Sequence, residues 1–167
     1  MPEQIFNKTV LRSYRGPASE LMTLKDEQGY RYIGIRFYEQ YSHHPMLVDS
    51  LDGVIDLLKG MRPRGLVPLM DFDADAGAFL YGTGDCVSIA ELIRQCFDRN
   101  IKPGVRAGIE LLLRGAEIIR MAIDISQEEG IYSHGGLTPW RMLLSKDGQV
   151  KIIGYAIPQI EMLVFRD

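Results

Sequence analysis

The sequence has few of the residues that build disulfide-rich, metal-bound or membrane-spanning proteins. Its 167 residues include two cysteines, Cys86 and Cys96, which are too few for a disulfide framework and match no metal-binding spacing. Unpaired thiols suit a reducing compartment, so we expect a cytoplasmic protein. No apolar run approaches the roughly 18 residues of a transmembrane helix. The opening MPEQIFNKTV lacks the basic start and apolar core of a signal peptide.

The sequence also lacks an excess of positive charge. Lys and Arg number 19 against 22 Asp and Glu, which gives a net charge of −3. This balance argues against broad binding to nucleic acid or to an anionic membrane. His43 and His44 are adjacent, so their side chains diverge, and no third ligand is evident; we therefore expect no metal site.

The first half of the chain alternates between strand-like and helical patterns. Residues 10–14, 19–24 and 30–38 are rich in β-branched and aromatic residues and are separated by short turns, which predicts an antiparallel meander. Residues 46–61 carry apolar side chains at helical spacing. Two further strand-like runs follow before residue 82.

The second half is mainly helical. Ser88 and Glu91 form a capping box, which predicts a helix to about residue 98. A longer helix is expected from residue 105 to a stop near Gly130. Two short apolar runs around residues 146–148 predict a β-hairpin. The apolar spacing of the long helix predicts a buried face made of Val105, Ile109, Leu112, Leu113, Ala116, Ile119 and Ile123.

In this order the elements resemble the small lobe and the first part of the large lobe of a protein kinase. Residues 11–38 resemble the glycine-rich loop and third strand, RPRGLVPLMDF the segment after the αC helix, and VSIAELI the helix after the hinge. HGGLTPWRMLLSKDGQVKIIGYA resembles the catalytic loop through the DFG segment. The resemblance rests on the order and spacing of these parts and spans residues 10–157.

The resemblance implies an α+β, protein kinase-like fold. Residues 1–84 would form a five-stranded antiparallel small lobe with one αC-type helix. Residues 85–167 would form a partial, mainly helical large lobe that contains the catalytic-loop hairpin and ends soon after the DFG-equivalent segment.

The glycine-rich loop has lost most of its pattern. In the family, a GxGxxG loop covers the phosphates of ATP. Of its three glycines only the middle one, Gly16, remains, because Tyr14 and Ser19 stand at the other two positions. Pro17 also removes an amide donor.

The lysine and glutamate that pair in kinases are also replaced. The lysine of the third strand falls at Arg36, which keeps the charge on a wide planar group. The αC glutamate falls at or near Val54. Asp52 and Asp56 are each rotated by about 200° from Val54 on a helix, so neither is expected to reach the pocket.

The catalytic loop, HRDLxxxN in the family, corresponds to residues 134–141. His134 is expected to hold the loop in place. Gly136 replaces the catalytic Asp, Arg141 replaces the metal-binding Asn, and Gly154 replaces the metal-binding Asp of DFG. These replacements imply that the domain has no catalytic residue and no Mg²⁺ site. The loss of the base alone would matter, because a positioned base contributes roughly 10²- to 10⁴-fold to a rate.

We therefore expect a catalytically inactive pseudokinase domain that regulates or scaffolds protein partners and has no cofactor, with a homodimer as one arrangement. The alternative is a Ser/Thr protein kinase-family domain that retains atypical phosphotransfer or weak nucleotide binding. Tyr81, Gly82 and Thr83 form a hinge-like segment whose backbone still offers hydrogen bonds to an adenine ring. Trp140 is either an interface anchor or part of the core.

Overall fold

A six-stranded antiparallel sheet forms the first part of the molecule. The computed structural model describes residues 3–130, 134 and 136–165. The predicted strands are present, and a two-residue strand is added at one edge, so the strand order is β1-β2-β3-β4-β6-β5. The strands are β1 (Gln4–Ile5), β2 (Lys8–Arg15), β3 (Ser19–Lys25), β4 (Arg31–Phe37), β5 (Leu69–Asp73) and β6 (Ala78–Gly82).

The two faces of this sheet bury different sets of side chains. On β4, Ile33, Ile35 and Phe37 join the main hydrophobic core, which continues into the second part of the molecule. Because side chains alternate along a strand, Gly34 and Arg36 lie on the opposite face. That outer face is covered by a smaller cluster of Ile5, Met22, Leu24, Ala78 and Leu80.

Two helices follow β4. The short helix α1 (Glu39–Ser42) leads into α2 (Pro45–Gly60), which confirms the helix predicted from apolar spacing. Leu51 and Leu58 on α2 are buried in the main core.

The second part contains the predicted helices and hairpin. Ser88 Oγ accepts the backbone N–H of Glu91 at 3.1 Å, as a capping residue does, although the Glu91 carboxylate instead bonds Arg12, Arg94 and Gln95. Gly148, at φ 79°, permits the tight hairpin turn. The elements are β7 (Val87–Ser88), α3 (Ile89–Asp98), α4 (Val105–Ser126), a 3₁₀ turn (Gln127–Glu129), β8 (Met142–Leu144), β9 (Val150–Ile152), α5 (Ile157–Glu161) and a second 3₁₀ turn (Met162–Phe165).

The buried face predicted for the long helix is wrong at most of its positions, although Ile123 packs against the main core. Val105 is 80% exposed and Leu113 is 66% exposed, and Ile109 and Leu112 are exposed as well. The buried residues of α4 are Gly115, Ile118, Ala122 and Ser126. The helix is apolar on two sides, and the β8–β9 hairpin covers the side that carries the smaller residues, so periodicity alone pointed to the wrong side.

Among the described residues, no helix combines the length and apolar character needed to cross a bilayer.

Candidate functional site

Arg36, which the resemblance places at the kinase lysine position, does not face the cleft. Arg36 Nε donates to Glu20 Oε1 at 2.9 Å and Nη2 donates to Glu3 Oε1 at 2.8 Å, on the outer face of the sheet. The preceding residue, Ile35, is fully buried on the cleft side. A shift of one residue along a strand exchanges the two faces. An isoleucine therefore stands where the resemblance implied a cation.

The side chains described on the inner side of α2 are apolar. Val54 and Ile55 pack against the same core as Leu51 and Leu58. Asp56 is exposed, as expected, whereas the side chain of Asp52 lies outside the described residues. The described part of α2 therefore offers no carboxylate to the cleft.

The loop between β2 and β3 is a tight turn. The backbone N–H of Gly16 donates to the Ser19 carbonyl at 2.7 Å, and Tyr38 Oη donates to the Gly16 carbonyl at 3.0 Å. Pro17 has no N–H to offer. Gly16 keeps the glycine of the motif, but its amide is already bonded within the turn.

His134 lies inside the loop that precedes β8. Its ring is 3% exposed, its Nε2 is 3.3 Å from the carbonyl oxygen of Ile153, and it meets the Tyr155 ring edge-on at 6.1 Å. Burial, with the positive charge of Arg141 as a smaller cause, lowers the pKa of His134 from 6.5 to about 4. A neutral, packed imidazole suits the structural role expected of this residue.

Arg141 is a buried cation with a carboxylate partner. The residue is 8% exposed, and its Nη2 donates to both carboxylate oxygens of Glu161, at 3.1 and 3.2 Å. Its Nη1 lies 3.5 Å from the carbonyl oxygen of Gly154. A buried charge requires a partner of this kind, and α5 supplies it.

The space beside Gly154, where the resemblance places a metal-binding aspartate, is occupied by the ends of two side chains. A Cβ atom added at Gly154 would lie 2.7 Å from Arg141 Nη1 and 2.8 Å from Ile35 Cδ1. At Gly136 a Cβ atom would meet only the Pro158 side chain, at 3.3 Å. The guanidinium of Arg141 and the side chain of Ile35 thus fill the space beside the DFG-equivalent position. In the part of the chain that is described, no three His, Cys, Asp or Glu side chains come together to hold a metal ion.

Two further contacts tie the six-stranded sheet to this site. Ser19 Oγ on β3 donates to Glu161 on α5. The rings of Tyr14 on β2 and Trp140 are 3.9 Å apart and tilted by 30°. Both contacts border a cavity of about 290 Å³ between the β2–β3 turn and the residues around Arg141. Trp140 is half-buried and is engaged within the chain.

The three hinge-like residues lie in different surroundings. Tyr81 is in the core, where burial raises the pKa of its phenol, and its hydroxyl has no hydrogen-bond partner among the described residues. A Cβ atom at Gly82 would lie 2.5 Å from Met70 Sδ. Thr83 Oγ1 donates to the Arg31 carbonyl at 3.4 Å. Of the three, Thr83 lines a second cavity of about 290 Å³, together with Leu11, Leu21, Ile33 and Cys86.

Sequence reasoning missed three residues of the site: Ser19 as a donor, Ile35 and Glu161. A buried Arg141 requires an anion, and Glu161 and Asp167 are the two acidic residues after the hairpin. The need of Arg141 for an anion was therefore the one feature of the sequence that pointed to Glu161 as a site residue. The position of Ile35 required the register of β4, which the apolar pattern around it does not fix.

The fold is that of protein kinases. The sequence matches no protein-family model and no curated protein. The structure is similar to the PknI kinase domain of Mycobacterium tuberculosis, with a TM-score of 0.63 and 12% identity over 93% of this chain and 62% of that domain. It is also similar to the kinase domain of maize SIRK1, sucrose-induced receptor kinase 1, solved bound to AMP-PNP, with a TM-score of 0.60 and 15% identity over 95% of this chain and 56% of that domain.

This chain therefore has a protein kinase-like fold, with a small lobe and part of a large lobe. It spans about three fifths of the length of the kinase domains that it matches, at 62% and 56%. At these identities the similarity concerns the fold alone, so activity must be argued from the site.

Proposed function

We propose that this domain does not transfer phosphate and acts as a pseudokinase that regulates or scaffolds protein partners in the cytoplasm. The observation that carries the proposal is the Arg141–Glu161 pair beside Gly154. Phosphoryl transfer in kinases uses Mg²⁺ held by an Asn and an Asp. By the resemblance, those positions correspond to Arg141 and Gly154, and a fixed positive charge repels a metal cation.

The remaining chemical positions support the same proposal. Gly136 provides no base for a substrate hydroxyl, and Ile35 provides no charge for the phosphates. Each interaction of this type stabilises a transition state by several kcal/mol. A change of about 1.4 kcal/mol in that stabilisation changes the rate tenfold. Losing all of them leaves no turnover that a cell would use.

The contacts across the cleft support a role as a fixed surface. Catalytic kinases open and close around their substrates. Here the Ser19–Glu161 hydrogen bond and the Tyr14–Trp140 ring contact join the two sides of the cleft. A domain held in one arrangement is suited to presenting the same surface to a partner.

Calorimetric titration of the protein with ATP, with and without Mg²⁺, tests the proposal. We expect Mg²⁺ to leave the binding isotherm unchanged, because the cation site is filled by Arg141. Binding of ATP that Mg²⁺ strengthens, with the fold intact, would contradict this proposal.

A second candidate function is weak, metal-independent nucleotide binding. It is favoured by the second cavity, which Thr83, Leu11 and Ile33 line. Adenosine, which has no phosphate, is the suitable probe. If the cavity takes the base, adenosine and ATP should bind with similar affinity, and Leu11→Trp should weaken both because it narrows the cavity.

A further inference from the structure

An apolar groove lies on the side of the molecule away from the cleft. It has a volume of about 670 Å³, more than twice that of either cavity near the cleft. It runs between α3, the start of α4 and the β8–β9 hairpin. Its apolar wall includes Ile89, Leu92, Ile93, Val105, Leu111 and Leu144.

The residues around the groove expose more apolar surface than a packed helix pair usually does. Ile93 on α3 and Val105 on α4 are exposed, and so are Phe97 and Ile101 between them. Contiguous exposed apolar patches of this kind mark interaction sites.

The chain segment that supplies most of the lining of the groove is basic, although the chain is acidic overall, and its exposed cations form what we call the basic rim. The two charged side chains that line the groove itself, Glu110 and Arg114, pair with each other. Residues 92–114 contain five Arg and Lys against two Asp and Glu, a local charge of +3 where the whole chain has −3. Arg94 pairs with Glu91 and Asp98, and Arg114 pairs with Glu110. The other three cations are exposed and have no ion pair within the described residues; they are Arg99, Lys102 and Arg106.

The start of α4 adds positive potential at the same place. Its N-cap is Gly104, which brings no side-chain acceptor, and the first turn contains no acidic residue. The free N–H groups of a helix start carry a partial positive charge. Lys102 and Arg106 flank this end of the helix, so a carboxylate placed there would meet both kinds of positive charge.

We propose that the groove binds an amphipathic, acidic segment of a partner protein. Its apolar side chains would lie against Ile93 and Val105, and its carboxylates against Arg99, Lys102 and Arg106. This inference names the partner surface of the proposed scaffolding function and rests on that function. A second copy of the chain fits less well, because a two-fold contact centred here would place one basic rim against the other.

Three labelled synthetic peptides with helical spacing test this. The first carries leucines on one face and glutamates on the other; the second replaces glutamate with lysine; the third replaces leucine with serine. By fluorescence anisotropy, we expect the first to bind at least about tenfold more tightly than either of the others at low salt. Its advantage over the lysine peptide should shrink as salt screens the charges.

Two variants with equal charge change locate the binding. Lys102→Glu/Arg106→Glu should weaken binding of the first peptide by about tenfold or more. Lys25→Glu/Arg64→Glu makes the same change at exposed positions away from the groove and should leave it unchanged. Circular dichroism checks that both variants are folded.

Several results would overturn the proposal. These are equal affinity for the three peptides, no binding of any of them, or equal losses in the two double variants. A concentration-dependent dimer in sedimentation that Val105→Ser dissociates would assign the groove to a second copy. None of these results would restore phosphoryl transfer, so the proposed lack of catalysis is tested separately.

Discussion

At the scale of single residues, Arg141 determines what the cleft can do. It brings a positive charge to a position that is 8% exposed and next to Gly154. Such a charge is retained only with a good partner, and Glu161 accepts two hydrogen bonds from it. The pair therefore links the chemistry of the site to the position of α5.

Replacing one partner of the Arg141–Glu161 pair should lower the free energy of unfolding more than replacing both partners does. Arg141→Met and Glu161→Gln should each lower the free energy of unfolding by about 2–4 kcal/mol, since each leaves a buried group without its partner. The double variant should lose clearly less than the sum of the two. Urea unfolding measures all three.

The exposed pair of Arg94 and Asp98 is the control, and Asp98→Asn should cost less than about 1 kcal/mol. Strict additivity at Arg141 and Glu161 would contradict the coupling.

His134 should make the fold sensitive to acid. Its pKa is about 4 in the folded protein and about 6.5 when unfolded, so between these values the unfolded chain binds the proton first. Stability should be complete above pH 6.5 and should fall by roughly 3 kcal/mol as the pH drops to 4. His134→Gln should remove this part of the slope, whatever its own cost in stability. An unchanged slope in this variant would show that other groups cause the acid sensitivity.

At the scale of elements, α4 shows the limit of reading a helix by its period. The start after Gly104, the stop near Gly130 and the flanking hairpin followed from glycine and turn patterns, which are local. The buried face did not, because it depends on which neighbour covers the helix. Gly115 marks that neighbour: a Cβ atom there would lie 3.0 Å from Met142 Cε on β8.

Two identical substitutions in α4 distinguish its two sides. Gly115→Val should destabilise the fold by about 1–3 kcal/mol because the extra methyl groups overpack the contact with Met142. Gly108→Val, with nothing within 4 Å of the added Cβ atom, should be neutral or slightly stabilising because glycine is a poor helix former. Thermal unfolding followed by circular dichroism measures both. Equal effects would contradict the assignment of the buried side.

The same distinction applies to β4. The aromatic and β-branched residues were enough to predict the strand. They were not enough to predict its register, because the sequence alone does not say which face of the strand carries Ile35 and which carries Arg36. The partners settle the register: Ile35 lies opposite Leu21 and Phe79, while Arg36 lies opposite Glu20 and Ala78.

At the scale of the whole molecule, the kinase-like order of elements was predictable because each element carries its own local pattern. The contacts across the cleft were not, since they join residues far apart in sequence, such as Ser19 with Glu161 and Tyr14 with Trp140. Both contacts border the cavity of about 290 Å³ between the β2–β3 turn and the residues around Arg141.

Returning the base and both metal ligands of kinases in a single variant should not produce phosphotransfer. Gly136→Asp/Arg141→Asn/Gly154→Asp returns the base and both metal ligands but leaves Ile35 beside them and leaves Glu161 without Arg141. We expect this variant to be less stable than the natural chain and to have no phosphotransfer. Mg²⁺-dependent activity in this variant would show that the Ile35 side of the cleft matters less than we infer.

The most direct measurement of the central claim is release of the γ-phosphate from radiolabelled ATP by the natural chain, with Mg²⁺ and with a generic protein substrate present. The account predicts a rate equal to that of buffer at every Mg²⁺ concentration, and no labelled protein. Mg²⁺-dependent release or labelling that disappears in Leu11→Trp, which narrows the cavity proposed for the nucleotide, but persists in the surface variant Arg64→Ala would contradict it.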